Sequence, residues 1–131
     1  MGFFKSIFSG RNDDAKKEER QVSWIPLTGS EQLDAIERKS ASRPQLIFKH
    51  STTCGVSRMV LNLLEKNPLL QEDRFDLYFL DLHRHREISD EAAQRFGVLH
   101  QSPQLLVLKD RQTVAHASHG GIPEISLEEF L

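Results

Sequence analysis

The sequence predicts an α/β fold in which a central mixed sheet is flanked by helices, in the order β-α-β-α-β-α-β-β-α. Three observations predict it. Apolar runs of strand length recur at 22–27, 45–49, 75–82, 104–108 and 113–117. Segments with apolar residues at helical spacing lie between the first four of these runs. The last two runs are separated by Lys109-Asp110-Arg111-Gln112, which reads as the turn of a hairpin. With 131 residues, 38% of them hydrophobic, the chain supports one compact domain and no more.

The first twenty residues differ from the rest. Met1 to Gly10 carries Phe3, Phe4, Ile7 and Phe8, a small apolar face that reads as a frayed terminal turn in preference to a membrane-surface or partner-docking helix. Arg11 to Arg20 is a mixed-charge linker of four basic and four acidic residues. Residues 1–20 are therefore expected to be a flexible N-terminal segment, and residues 21–131 the folded domain. Val22-Ser23-Trp24-Ile25-Pro26-Leu27 opens that domain as a strand, with Pro26 at its end or on an edge. Thr28-Gly29-Ser30-Glu31 has capping-box spacing and starts a helix carrying Leu33, Ala35 and Ile36. A buried strand follows at 45–49. Next comes a helix on which Val56, Met59, Val60, Leu63 and Leu64 recur, stopping near Asn67-Pro68. Phe75 to Leu82 is apolar enough for another buried strand. Ser89-Asp90-Glu91 is expected to cap a helix holding Ala92, Ala93 and Phe96, with Gly97 as its C-cap. After the hairpin, Gly120-Gly121 leads into a short closing helix from Ser126.

Composition excludes several classes of function. A formal net charge of −2 leaves no basic face for nucleic acid. No run approaches the roughly 18 apolar residues of a spanning helix. The N-terminus lacks the charged region, apolar core and cleavage site of a signal peptide. A single cysteine excludes an internal disulfide and fits a reducing compartment. These features together lead us to expect a cytoplasmic protein.

That cysteine, Cys54, is the most telling residue. It falls between the strand ending in Phe48 and Lys49 and the helix marked by Val56 and Met59, at or next to the helix's first turn. Unpaired N–H groups and the helix dipole there favour a thiolate over a thiol. Cys54-Gly55-Val56-Ser57 is a redox-type Cys-x-x-Cys site whose second cysteine has become a hydroxyl. One cysteine can attack a mixed disulfide but cannot close an internal one. Ser57, one turn on, is expected to donate a hydrogen bond to the thiolate. Lys49 and Arg58 are candidate cations favouring its charged form. Plainer readings exist for each: a small buried hydrophobe for Cys54, an exposed helix position for Ser57, solvated charges for Lys49 and Arg58.

The element order resembles a thioredoxin fold with its N-terminal strand and helix. His100-Gln101-Ser102-Pro103-Gln104 places a proline just before the hairpin strand. Thioredoxin-like folds keep a cis-proline there, facing the redox cysteine, so the resemblance implies a cis Ser102-Pro103 bond and a substrate-docking role for Ser102, Pro103 and Gln104. More specifically, the chain resembles the YtxJ family, the monothiol bacilliredoxins of the bacillithiol system. The matching residues are Trp24-Ile25-Pro26-Leu27, Phe48-Lys49-His50-Ser51-Thr52-Thr53-Cys54 with Ser57, Gly97-Val98 with His100 and Ser102-Pro103-Gln104, and His116 with Ser118-His119. They span roughly residues 22–125. Family members usually carry Pro-Ile between Cys and Ser, where this chain has Gly55-Val56.

The resemblance implies a monothiol thiol–disulfide oxidoreductase that removes bacillithiol from S-bacillithiolated proteins. Its catalytic residues would be Cys54 and Ser57. Thr53, Gly55, Ser102, Pro103 and Gln104 would form the substrate-binding surface. No cofactor would be bound; bacillithiol would be the thiol co-substrate, the clients S-bacillithiolated proteins, and the enzyme a monomer. Two other readings stay open at this point. Cys54-Gly55-Val56-Ser57 is similar over four residues to the monothiol glutaredoxins, which hold an iron–sulfur cluster with glutathione, although the flanks do not match. The chain could also be a non-enzymatic thioredoxin-like binding module. His83, His85, His116 and His119 make no recognised metal-ligand motif.

Overall fold

The computed structural model describes residues 22–71 and 73–131, so the expected N-terminal segment lies outside the described residues. Five strands form one sheet: β1 (Ile25–Pro26), β2 (Gln45–His50), β3 (Asp76–Asp81), β4 (Gln104–Lys109) and β5 (Gln112–Ser118). Their order across the sheet is β1-β3-β2-β4-β5. β1 and β2 run parallel to β3, and β4 is antiparallel to both β2 and β5. Three α-helices, α1 (Ser30–Lys39), α2 (Gly55–Glu65) and α3 (Arg86–Phe96), cover the two faces. The mixed, helix-flanked sheet is the expected α/β architecture.

β2 is central, and all six of its residues are buried. This is why its sequence reads as an unbroken run instead of alternating. Its side chains still alternate between layers. Ile47 joins Tyr78, Leu80, Leu106 and Leu108 under α1 and α3. Leu46 and Phe48 join Leu77, Leu105 and Val107 under α2, through Val60 and Leu64. α2 and the site it starts therefore belong to the Leu46/Phe48 layer.

Several local expectations are corrected. The first strand shrinks to Ile25–Pro26, paired with Tyr78 and Phe79 at the sheet edge. Trp24 instead packs its ring on Phe48 and Phe79 and donates Nε1–H to Glu65 Oε2 at 2.7 Å. The cap of α1 is supplied by Gln32, not Glu31: its Oε1 accepts from the N–H groups of Thr28 and Gly29 at 2.7 and 3.0 Å. α3 begins three residues before Ser89, which lies fully buried inside it. Gly97 closes α3 at φ 70°, as its C-cap assignment requires. The hairpin turn rests on Asp110 and Arg111, both at positive φ (55° and 67°), the pairing that suits a two-residue connection. The closing helix is replaced by two 3₁₀ turns, His119–Glu124 and Leu127–Phe130, with Pro123 inside the first.

Candidate active site

The site forms where β2 ends. After His50 the chain turns through Ser51, Thr52 and Thr53, and Cys54 N–H donates to Ser51 O at 3.2 Å. Cys54 is the N-cap of α2, extended at φ −109°, ψ 116°, and its carbonyl accepts from Arg58 N–H at 3.3 Å. The first-turn N–H groups of α2 thus open beside residue 54, and no acidic residue sits in that turn to offset their partial positive charge. Cys54 is a free, half-buried thiol.

Ser57 stands at the third position of α2 and is wholly buried, not exposed. Its Oγ accepts from Ser51 N–H at 3.1 Å and lies 2.8 Å from His50 Nδ1. The expected hydrogen bond to Cys54 is therefore corrected: among the described residues, Ser57 is bonded to His50 and Ser51 and not to the sulfur. His50 rests on Phe79, ring centroids 5.2 Å apart, and on Phe48 at 6.1 Å. Burial holds its imidazole below the ordinary value, Asp81 opposes that, and Arg58 and His83 push the same way as burial. Beside it, Ser51 Oγ, Thr53 Oγ1 and His83 Nε2 form a polar triangle with edges of 3.0 to 3.3 Å. Ser51 and His83 are the members of the site that motif reading left without a role, whereas His50 and His100 flank the motifs in sequence and read either as tuning the site or as packing. The signal for His50 was its position two residues after Phe48, which sends it into the α2 layer.

The two candidate cations divide. Arg58 is exposed on α2, where it lines an open groove with Met59, Asn62, Leu63 and Lys66. Lys49 alternates into the opposite layer. It is wholly buried and donates to Ser89 O at 3.2 Å, with His100 Nδ1 at 3.5 Å. Its assignment as a neighbour that tunes Cys54 is corrected on that geometry: the sheet lies between its ammonium and α2. Burial pushes the Lys49 pKa down to about 8, with Asp90 raising it and Arg86 lowering it. His100 is likewise lowered, first by burial and then by Lys49.

The proline loop reaches the same end of the sheet. β2 and β4 pair through Lys49 and Gln104, so the next residues on each strand are His50 and Pro103. The Ser102–Pro103 bond is cis. Pro103 is buried and its carbonyl accepts from His119 N–H at 3.0 Å. Ser102 Oγ is buried without a partner, and its backbone N–H and carbonyl make no hydrogen bond with the described residues. Gln104 differs from expectation. At 1% exposure its side chain faces inward, and Nε2 donates to Leu99 O at 2.9 Å, so it braces the loop and cannot touch a substrate. Thr53 and Gly55 are exposed at the rim of Cys54, and a Cβ placed on Gly55 would meet nothing within 4 Å. Val56, Met59 and Leu63, which recur at helical spacing with Val60 and Leu64, point outward at 44%, 55% and 46% exposure, and Leu99 on the proline loop is 82% exposed. The three α2 residues give the outer face of the helix that starts at Cys54 an apolar surface, while Leu99 borders a groove along α3.

A lone thiol at the N-cap position of the helix that leaves the central strand, at the same end of the sheet as a proline loop with unpaired backbone groups, defines a thiol–disulfide oxidoreductase of the thioredoxin fold that works without a resolving cysteine. Solved structures share the fold. One described as a candidate oxidoreductase with a thioredoxin fold is 28% identical, with TM-score 0.69 over 81% of this chain and 91% of its own. Thioredoxin from Trypanosoma brucei brucei is 16% identical, with TM-score 0.65 over 88% of this chain and 94% of its own. Thioredoxin from Malassezia sympodialis is also 16% identical, with TM-score 0.63 over 83% and 88%. The chain belongs to the monothiol bacilliredoxin family BrxC, whose model matches residues 25–127. That membership selects the bacilliredoxin reading over the glutaredoxin likeness of four residues. No helix among the described residues is long and apolar enough to cross a membrane.

Proposed function

We propose that this protein removes bacillithiol from S-bacillithiolated proteins in the cytoplasm, using Cys54 as its only nucleophile. The Cys54 thiolate attacks the bacillithiol sulfur of the client's mixed disulfide. The client's S–S bond breaks, the client leaves as a thiolate, and a Cys54–bacillithiol disulfide forms. Ser57 stands where a second thiol would resolve that disulfide, and the chain has one cysteine in 131 residues. An external thiol, bacillithiol itself, must therefore attack. It releases the Cys54 thiolate and carries bacillithiol away as its own disulfide.

The observation that carries this reading is the placement of the sole cysteine at the α2 N-cap with a buried serine three residues on. The unpaired Ser102 backbone supports a second element: one N–H and one carbonyl able to pair with an extended client segment. Thr53, Gly55 and Pro103 complete the rim, Val56 and Met59 on α2 supply apolar contact, and no metal or bound cofactor takes part in these steps. The test presents equal amounts of one client protein, S-bacillithiolated or S-glutathionylated, to the purified protein. Intact mass should show bacillithiol moving from client to Cys54, faster than glutathione does. Equal or faster transfer of glutathione contradicts the bacillithiol assignment.

A further inference from the structure

Lys49 is buried and takes no part in the exchange steps. Its Nζ donates to Ser89 O at 3.2 Å and lies 3.5 Å from His100 Nδ1, and neither group carries a negative charge. With a pKa of about 8 the amine is still an ammonium at neutral pH. A charge buried in this way costs stability. What it touches is the root of the proline loop. An ammonium only donates, so the His100 nitrogen facing it is an acceptor and the ring carries its proton on Nε2. The same Nδ1 accepts from Ser89 Oγ at 3.0 Å. Lys49 and Ser89 thus address one ring nitrogen from β2 and from α3.

His100 opens the loop that runs to Pro103. Beside it, Leu99 O accepts from Gln104 Nε2 at 2.9 Å, and Gln104 stands opposite Lys49 in the β2–β4 register. At the loop's far end Pro103 O accepts from His119 N–H at 3.0 Å. Between these ties, Ser102 N–H and carbonyl make no hydrogen bond with the described residues. A free pairing group is placed only as well as the segments that hold it on either side. We propose that Lys49 is a positioning residue for client docking: with Ser89 it holds the His100 ring as an acceptor, and so sets the proline loop on which the client pairs. This inference rests on the reading of the Ser102 backbone as the client's pairing partner. The charges facing His100 fit the role. Lys49 on β2 and Arg86 on α3 disfavour a second ring proton, as burial does, and Asp90 on α3 alone favours one.

The test compares wild type with Lys49→Met, which keeps the apolar stem. The first readout needs no client. Ring 15N shifts of wild-type His100 should report an unprotonated Nδ1, and the ring should titrate at higher pH in Lys49→Met. A protonated Nδ1, or an unchanged midpoint, overturns the proposal. The second readout is turnover of an S-bacillithiolated peptide. KM should rise about fivefold in Lys49→Met, the worth of one hydrogen bond, while the rate at which iodoacetamide alkylates Cys54 stays within about twofold. His100→Leu should raise KM likewise, and His100→Asn, whose Oδ1 supplies an acceptor in place of Nδ1, should restore most of it. An alkylation rate that falls along with turnover overturns the proposal, since Lys49 would then act on the sulfur and not on docking. A control separates this proposal from the reading beneath it. The same peptide, N-methylated at the residues flanking its cysteine, cannot donate to the Ser102 carbonyl and should show a raised KM with wild type. A raised KM for that peptide, with no change in Lys49→Met for the plain one, overturns the role of Lys49 alone. Equal KM for the two peptides overturns the docking reading and this proposal with it.

Discussion

Replacing Lys49 with methionine is expected to stabilise this protein at neutral pH. The Lys49 side chain is 0% exposed, and the acceptors near Nζ are Ser89 O at 3.2 Å and His100 Nδ1 at 3.5 Å. Neither is a carboxylate. Burial lowers its pKa from 10.5 to about 8, Asp90 restoring part of the fall and Arg86 adding to it. The folded chain therefore gives up this proton before the unfolded chain does. Between pH 8 and 10.5 the unfolded state binds more protons, so stability rises with pH across that window. At about 1.4 kcal/mol per pH unit the full interval is worth about 3 kcal/mol, of which about 2 kcal/mol falls between pH 7 and 9.5. Lys49→Met keeps the apolar stem in place and leaves the Ser89 Oγ–His100 Nδ1 bond of 3.0 Å intact. The variant should gain about 1–3 kcal/mol at pH 7, as buried charges replaced by apolar groups of like volume often do. Its stability should also be nearly flat between pH 7 and 9.5. Urea unfolding followed by Trp24 fluorescence at several pH values measures both. A variant less stable than wild type at pH 7, together with a flat wild-type profile, would refute the reasoning.

Other substitutions probe the frame around the site. Phe48→Ala empties the centre of the α2 layer, where the ring meets Trp24, Phe79 and His50, and should cost about 3–5 kcal/mol in chemical denaturation. Gly97→Ala puts a Cβ on a residue at φ 70°, and should lower stability by about 1 kcal/mol despite open space around it. Gln104→Ala removes the bond to Leu99 O that braces the proline loop. It should cost about 1 kcal/mol of stability and raise KM for a mixed-disulfide client more than it lowers kcat.

The fold was legible because each element carries its own signal. The apolar run 45–49 and the turn residues at 109–112 survive without tertiary help, and the strand-to-helix junction placed Cys54 correctly at a helix start. What failed was mostly a matter of which face a side chain takes. Lys49 lies in a strand buried on both sides, so composition no longer shows the alternation, and its charge near Cys54 in sequence suggested proximity in space. Period-two counting from Phe48 puts Lys49 on the other side of the sheet and His50 on the α2 side. Ser57 was read from its motif, but its hydroxyl is claimed by His50 and Ser51, a pairing that exists only once β2 and α2 pack. Val56, Met59 and Leu63 keep helical spacing while facing outward, because exposed and buried apolar positions look alike in a pattern. Ser89 resembled an N-cap since serine favours both roles, yet it is buried one turn inside α3 against His100.

The central claim is that Cys54 alone carries the exchange, and it is tested most directly by Cys54→Ser. The folded variant, checked by circular dichroism, is mixed with an S-bacillithiolated client, and the regenerated client thiol is counted by intact mass. The account predicts that release falls to the uncatalysed rate in Cys54→Ser. Ser57→Ala, which removes the hydroxyl bonded to His50 and Ser51 and leaves the nucleophilic sulfur in place, should retain measurable exchange. Release in Cys54→Ser at a rate near that of wild type would contradict it.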